Sequence, residues 1–326
     1  MRNVLAILIP AGAFSRTEAE TITAGKSLAA QLGADLSVGI LGPSDDSFAR
    51  ECFAFGAKSL TRVEGLAAYQ SEAYSAAAQQ IAASVAADVI LFPSTTYGLE
   101  IAPGVGYRLG AAVILDCVGL IGDSSGNLTI TKPVYGGKAN SELIARQGPV
   151  VIAMRMRSVA PGEKQDGATG EINTIPAPAL SPRTQILEHT TEDTGSGPKL
   201  EDARVIISGG RGLGNKENFV HLEELARLLG GSVGASRAAC DQGWVPATLQ
   251  IGQTGKKVAP DLYLAVGISG ASQHLVGIAG ARHIVAINKD AKAPIFQVAA
   301  LGVVDEWQAL LPKLVVALTE HKARNS

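Results

Sequence analysis

The stretch ARVIISGGRGLG, residues 203–214, decides the fold. A β-branched apolar run ends in four glycines gathered around Arg211. Residues 218–230, NFVHLEELARLLG, then place apolar side chains at helical spacing and stop on a glycine. A short buried strand, a glycine-rich turn and a helix, in that order, open a parallel α/β unit.

The same alternation continues on both sides. Downstream come GSVGASRAACDQGWVP (231–246), a strand LYLAVGI (262–268), a strand HIVAINK (283–289), and a terminal helix over 305–326 despite Pro312. Upstream, NVLAILI (3–9) reads as a first buried strand. A helix follows it, ending at Gly33. DLSVGILG, SFARECFAFGA, KSLTRVE, SEAYSAAAQQIAASVAA, DVILFPS (88–94) and YGLEIAPGVGYRLGA extend the pattern, and AVILDCVGLIG (112–122) reads as one strand. From 128 to 156 the texture becomes consecutive strands, as at an antiparallel edge. From 160 to 201 the chain is rich in Pro, Gly, Thr and acidic residues, so it reads as loops and a linker, with a strand-like RTQILEHT inside. The expected fold is α/β: two doubly wound domains with mainly parallel sheets, residues 1–195 and 196–326.

The 326 residues are 46% hydrophobic with a net charge of -2, which describes a globular chain with large cores and no electrostatic case for nucleic acid or an anionic membrane. Cys52, Cys117 and Cys240 are isolated, which argues against disulfides and thiolate metal sites. The apolar run at the start is too short for a membrane span and lacks a signal-peptide exit. A cytoplasmic location is expected, with no direct membrane insertion.

Standard nucleotide signatures fail. SGGRGLGNKEN has Asn215 where GxGxxG spacing needs its last glycine. AGKS (24–27) ends like a phosphate loop but has Glu20 at the upstream glycine position, and GISGA is not the GxSxG elbow. What remains is a set of polar islands at predicted strand ends and loops: Arg211; Ser236 and Arg237; Gln250, Gln253 and Thr254; Ser269 to His274; and Asn288. In a doubly wound sheet, strand carboxyl ends line one crevice, where such folds bind nucleotides. Taken singly, each residue has a plainer reading. The arginines would be surface charges, Ser236 and Thr254 helix caps, His274 a satisfied core histidine, and Asn288 a turn residue.

The sequences SGGRGLGNKENF, GASRAACDQGWVP, QIGQTGKKVAPDLYLAVGISGASQHLVG and IVAINKDAKAPIFQVAALGVV resemble the FAD domain of the electron transfer flavoprotein alpha subunit, or FixB-like, family. The resemblance is nearly unbroken from 205 to 318 and weaker in the first half. It implies a heterodimer with a beta subunit and an FAD held by the second domain. It further implies Arg211 against the flavin ring, Ser236 and Arg237 at its edge, and Thr254 donating to the central-ring nitrogen, with Gln253 beside it and Gln250 in the same set. His274 would face the pyrimidine-ring carbonyl. Gly267, Ser269, Gly270, Ala271 and Gln273 would surround the ribityl and pyrophosphate portion, and Asn288 the adenosine half. Asp305 or Glu306 would reach the adenine side. Positive and hydrogen-bonding groups at the pyrimidine end suit a ring that gains negative charge on reduction.

The function this implies is an electron carrier with no catalytic residues and no substrate transformation of its own. Its electron donors would be flavin dehydrogenases, such as the acyl-CoA dehydrogenases of fatty acid β-oxidation, and its acceptor a quinone oxidoreductase. One alternative is an electron-bifurcating, NADH-oxidising relative with a second FAD in the beta subunit, although the cysteine often found in such relatives is Val266 here. Another is a nucleotide-binding module without redox work.

Overall fold

The computed structural model describes residues 3–66, 68–146, 148–180, 184, 187, 188 and 198–325. It comprises two compact units, Met1–His189 and Thr190–Ser326.

The first unit runs β1 (Asn3–Leu8), α1 (Arg16–Leu32), β2 (Asp35–Ile40), α2 (Asp46–Ala54), β3 (Ser59–Glu64), α3 (Ser71–Ser84), β4 (Val89–Pro93), α4 (Thr96–Leu109), β5 (Ala112–Cys117), β6 (Gly119–Gly122), β7 (Leu128–Val134), β8 (Ala139–Ala145), β9 (Val150–Met154) and β10 (Glu171–Pro176). Its main sheet has the order β10-β3-β2-β1-β4-β9-β5, with every pairing parallel. Side chains of β1 alternate between two cores. Val4, Ala6 and Leu8 pack with Ile22 and Leu28 of α1, while Leu5 and Ile7 pack with Ile81 of α3 and Ile101 of α4. Burial on both faces is why β1 and β4 read as continuous apolar runs rather than alternating ones. α1 begins with a capping box between Ser15 and Glu18 and ends where Gly33 takes the left-handed conformation.

Three sequence expectations change. AVILDCVGLIG is two strands in two sheets. The break falls at Val118, just past an irregularity in the β5 register at Asp116, whose φ is 63° and whose carboxylate Arg155 clamps with two bonds of 2.9 Å. β5 stays in the parallel sheet, whereas β6 joins β7 and β8 in a separate antiparallel sheet whose Leu128 and Ile130 share a core with α1. The segment expected as consecutive antiparallel strands therefore divides, and β9 inserts between β4 and β5. Within the expected loop region, β10 pairs in parallel with β3 and forms the edge of the sheet. Its side chains are mostly exposed, so ladder hydrogen bonds hold it without an apolar signature. Apart from Thr184, Leu187 and Glu188, RTQILEHT lies outside the described residues.

The second unit runs β11 (Val205–Gly209), α5 (Phe219–Leu229), β12 (Ser232–Ala235), α6 (Arg237–Asp241), β13 (Leu262–Val266), α7 (Ser272–Ile278), β14 (His283–Asn288), β15 (Leu301–Val304) and α8 (Trp307–Asn325), the last continuing through Pro312. Its sheet is parallel throughout, in the order β12-β11-β13-β14-β15. The chain leaves β11 toward β12 and crosses back to β13 on the other side. The strand order therefore reverses between β11 and β13, and that reversal creates a crevice at their carboxyl ends.

Candidate functional site

All five polar islands stand at the carboxyl edge of the second sheet, joined by backbone hydrogen bonds. Gly210 donates to Val266 at 2.9 Å, and Gly212 donates to Gly267 at 3.0 Å. These bonds close the β11 turn that carries Arg211 onto the β13 turn. Ser236, at the end of β12, donates its amide to Gly209 at 2.9 Å. The loop 250–256 returns to the same edge. Ile251 donates to Ala235 at 2.9 Å, and Gln253 to Gln273 of α7 at 2.7 Å. Asn288, ending β14, donates its side-chain amide to Ile268 at 2.8 Å. Five segments spread over about eighty residues of chain thus form one rim.

The glycines serve this closure. Gly267 has φ 62°, and a β-carbon there would lie 2.8 Å from the Gly212 backbone. Gly270 has φ 83°, and its β-carbon would lie 2.3 Å from the Ile295 amide nitrogen, which itself donates to Ser269 at 3.0 Å. The side-chain space at both positions is filled by neighbouring protein backbone. Only a residue that accepts positive φ and has no β-carbon allows the two turns to meet.

The side chains fall into two groups. Arg211, Arg237, Gln253, Thr254, Ser269, Ala271 and Gln273 are exposed along the rim. Arg237 makes only an open pair with Asp241 at 3.4 Å, both side chains being mostly solvated. Thr254 accepts from Gln250 Nε2 at 3.0 Å, so its hydroxyl proton can be given elsewhere. The second group is held inside. Both ends of the Asn288 amide are engaged, since its Oδ1 accepts from Asp290 while Nδ2 holds Ile268. Asn288 thus closes a turn, as its plainer reading held, and ties two strand ends together. His274 is buried, with Nε2 2.9 Å from Tyr263 Oη, whereas its Nδ1 has no hydrogen-bond partner among the described residues. Burial pushes its pKa down to about 4, against a weak opposing effect of the Ile251 backbone.

Sequence reasoning missed three supports. Trp307 Nε1 donates to the Gly212 carbonyl at 3.2 Å, Asn218 Nδ2 donates to the Leu213 carbonyl at 2.6 Å, and Tyr263 holds His274. Asn218 was visible as the polar residue closing GGRGLGNKEN. The other two are aromatic residues whose single polar atom finds its partner only in the fold. Asp305 and Glu306 are exposed at the end of β15, on the same edge of the sheet.

Residues 4–180 match the electron transfer flavoprotein domain, and residues 199–279 match the electron transfer flavoprotein FAD-binding domain. The chain is 36% identical over 298 residues to electron transfer flavoprotein subunit alpha of Bacillus subtilis, covering 90% of each. It is 37% identical over 316 residues to protein FixB of Azorhizobium caulinodans, covering 94% of this chain and 85% of that one. It is 32% identical over 332 residues to the alpha subunit of Clostridium acetobutylicum, covering 97% and 95%. The chain belongs to the electron transfer flavoprotein alpha-subunit family.

Its cofactor is FAD. The rim fits that group chemically. Among the described residues it offers two arginines without tight ion pairs, a threonine hydroxyl with its proton available, and a buried imidazole nitrogen without a close hydrogen-bond partner. The glycine turn runs straight into α7, where the Ala271 carbonyl takes the amides of His274 and Leu275 and no side chain caps the helix start. No nucleophile–base pair is needed for such a group. Among the described residues, no three His, Cys, Asp or Glu side chains gather as metal ligands. No helix among them is long and apolar enough to cross a membrane.

Proposed function

We propose that this chain is the alpha subunit of a heterodimeric electron transfer flavoprotein, acting as an electron carrier rather than an enzyme. Residues 1–195 form the domain that pairs with a beta subunit, and residues 196–326 hold the FAD. The observation that carries the reading is the convergence of the five islands on the β11/β13 reversal, joined by the bonds Gly212 to Gly267 and Gln253 to Gln273. When bound, FAD supplies the one-electron chemistry.

The chain's own groups have separable tasks. Arg211 and Arg237 place positive charge beside the flavin ring, in a rim where neither is neutralised by a close carboxylate. Gln250 orients the Thr254 hydroxyl so that its proton is donated to the central-ring nitrogen, with Gln253 next to it. His274 stays neutral and contributes a hydrogen bond to the pyrimidine-ring carbonyl, not a charge. Gly267, Ser269, Gly270, Ala271 and Gln273 carry the ribityl and pyrophosphate portion over the start of α7. Asn288 holds the β13 and β14 ends together beside the adenosine half.

Flavin dehydrogenases, such as acyl-CoA dehydrogenases, are the proposed electron donors, and a quinone oxidoreductase the acceptor. The carrier is cytoplasmic, works without nucleic acid and does not enter the membrane. It holds a single FAD rather than the pair a bifurcating relative needs. The test is to purify the complex with its beta subunit and count flavin. One FAD per heterodimer, reducible in one-electron steps by an acyl-CoA dehydrogenase with its substrate, supports the reading. Two FAD and reduction by NADH would replace it with the bifurcating one, and a colourless complex would overturn both.

A further inference from the structure

We propose that Gly277 is a positioning residue for Thr254: by leaving α7 bare at that point, it lets the loop 250–256 seat against the helix at the height that brings the Thr254 hydroxyl to the flavin. The proposal rests on the reading that Thr254 faces the flavin ring.

Gly277 is buried in the last turn of α7. A glycine inside a helix costs about 1 kcal/mol against alanine, so its presence there calls for a reason in packing. The reason is the approach of the loop. A β-carbon on Gly277 would lie 2.6 Å from the Gly252 Cα, closer still to the Gly252 amide nitrogen, and 3.1 Å from Ile251 Cγ2. The two nearest atoms are backbone and cannot swing aside. Gly252 completes the contact from its own side, since a β-carbon there would lie 3.0 Å from the Gln273 carbonyl oxygen. Gln273 and Gly277 are about one helical turn apart on the same face of α7.

Two hydrogen bonds fix this approach on either side of Thr254. Gln253 donates to the Gln273 carbonyl at 2.7 Å, and Val258 donates to the Gly277 carbonyl at 2.8 Å. Within the loop, Gly252 donates to the Lys256 carbonyl at 3.1 Å, and Gln250 Nε2 donates to the Thr254 hydroxyl at 3.0 Å. The loop is therefore a closed turn that moves as a unit. Packed carbon atoms stand about 3.5–4.0 Å apart, so a methyl group at position 277 pushes that unit outward by about 1 Å. Such a displacement spoils the aim of a hydroxyl at a ring nitrogen, because hydrogen bonds weaken steeply outside their ordinary geometry. Gly277 thus acts on the flavin through Thr254.

FAD and redox titrations of the heterodimer carrying Thr254→Val, Gly277→Ala or both test this. Each single variant should bind FAD roughly fivefold more weakly, as for one lost hydrogen bond, and shift the flavin midpoint potential in the same direction. The double variant should match Thr254→Val, whereas two independent losses would multiply to about 25-fold and overturn the proposal. Gly280→Ala is the structural control, since its β-carbon would meet Ala259 Cβ at 2.8 Å, beyond the same helix end and away from Gly252. It should lower the unfolding midpoint and leave the potential alone; a shift equal to that of Gly277→Ala overturns the proposal. If Gly277→Ala does not fold, the amides of Gln253 and Val258 in the unaltered complex decide. Slow hydrogen exchange at both supports the seating of the loop, and rapid exchange at either overturns it. An unchanged potential and FAD affinity in Thr254→Val sinks the placement of Thr254 at the flavin, and the proposal with it.

Discussion

Gly212 donates its amide to the Gly267 carbonyl at 3.0 Å, and each glycine occupies the place where the other's β-carbon would be. This contact closes the two turns on either side of the strand reversal. Gly267→Ala puts a β-carbon 2.8 Å from the Gly212 backbone and forces an L-residue to φ 62°. The conformation alone costs about 1–2 kcal/mol. Chemical denaturation should show at least that loss, and the purified protein should retain less FAD. Full stability and flavin content would mean the two turns are not rigidly joined.

Trp307 reaches the same turn from the start of α8, donating Nε1 to the Gly212 carbonyl at 3.2 Å. Trp307→Phe retains the buried ring and removes the donor. The expected loss is about 1 kcal/mol of unfolding free energy, with weaker FAD binding, because the Arg211 turn loses its outer tie. A variant with unaltered flavin affinity would limit Trp307 to packing.

Arg237 is 69% exposed in its side chain, and its pair with Asp241 is open. Arg237→Ala should therefore change stability by less than ~0.5 kcal/mol. FAD binding should nevertheless weaken about tenfold, since a charged hydrogen-bond donor is lost from the rim. Titration with FAD and a flavin redox titration together check this. If neither moves, Arg237 has no electronic role.

His274 gives a pH signature. Its folded pKa of about 4 lies below the unfolded value of 6.5, so the unfolded chain binds the extra proton first. The neutral, buried form contributes fully above pH 6.5. That contribution is lost as pH falls toward 4, by an amount on the order of 3 kcal/mol. Urea midpoints at pH 7 and pH 5 should show this fall, and His274→Gln should show a smaller one. Equal falls would place the titration elsewhere.

Much of this architecture is legible in the sequence because the strands are buried on both faces. Runs such as VIIS and LYLAV, each followed by glycine and a helical pattern, leave little else for β11 and β13 to be. The islands are legible because strand carboxyl ends in such sheets share one edge, which puts Arg211, Ser236, Ser269 and Asn288 together. Two other kinds of feature do not announce themselves. β10 is held by backbone bonds at an exposed edge, so EINTIP shows no apolar face. The split after Cys117 depends on Asp116 adopting positive φ beside Arg155, thirty-nine residues away in sequence. Tyr263 and Trp307 look like core aromatics because their bulk is core; only the positions of one hydroxyl and one N–H reveal what they hold.

Hydrogen exchange measured with FAD bound and after its removal tests the central claim most directly. The rim reading predicts added protection in residues 209–213, 236–237, 250–256, 267–274 and 288, with little change along β1 and β4. Protection gathered at the carboxyl ends of β1 and β4, with the second sheet's edge unchanged, would contradict it.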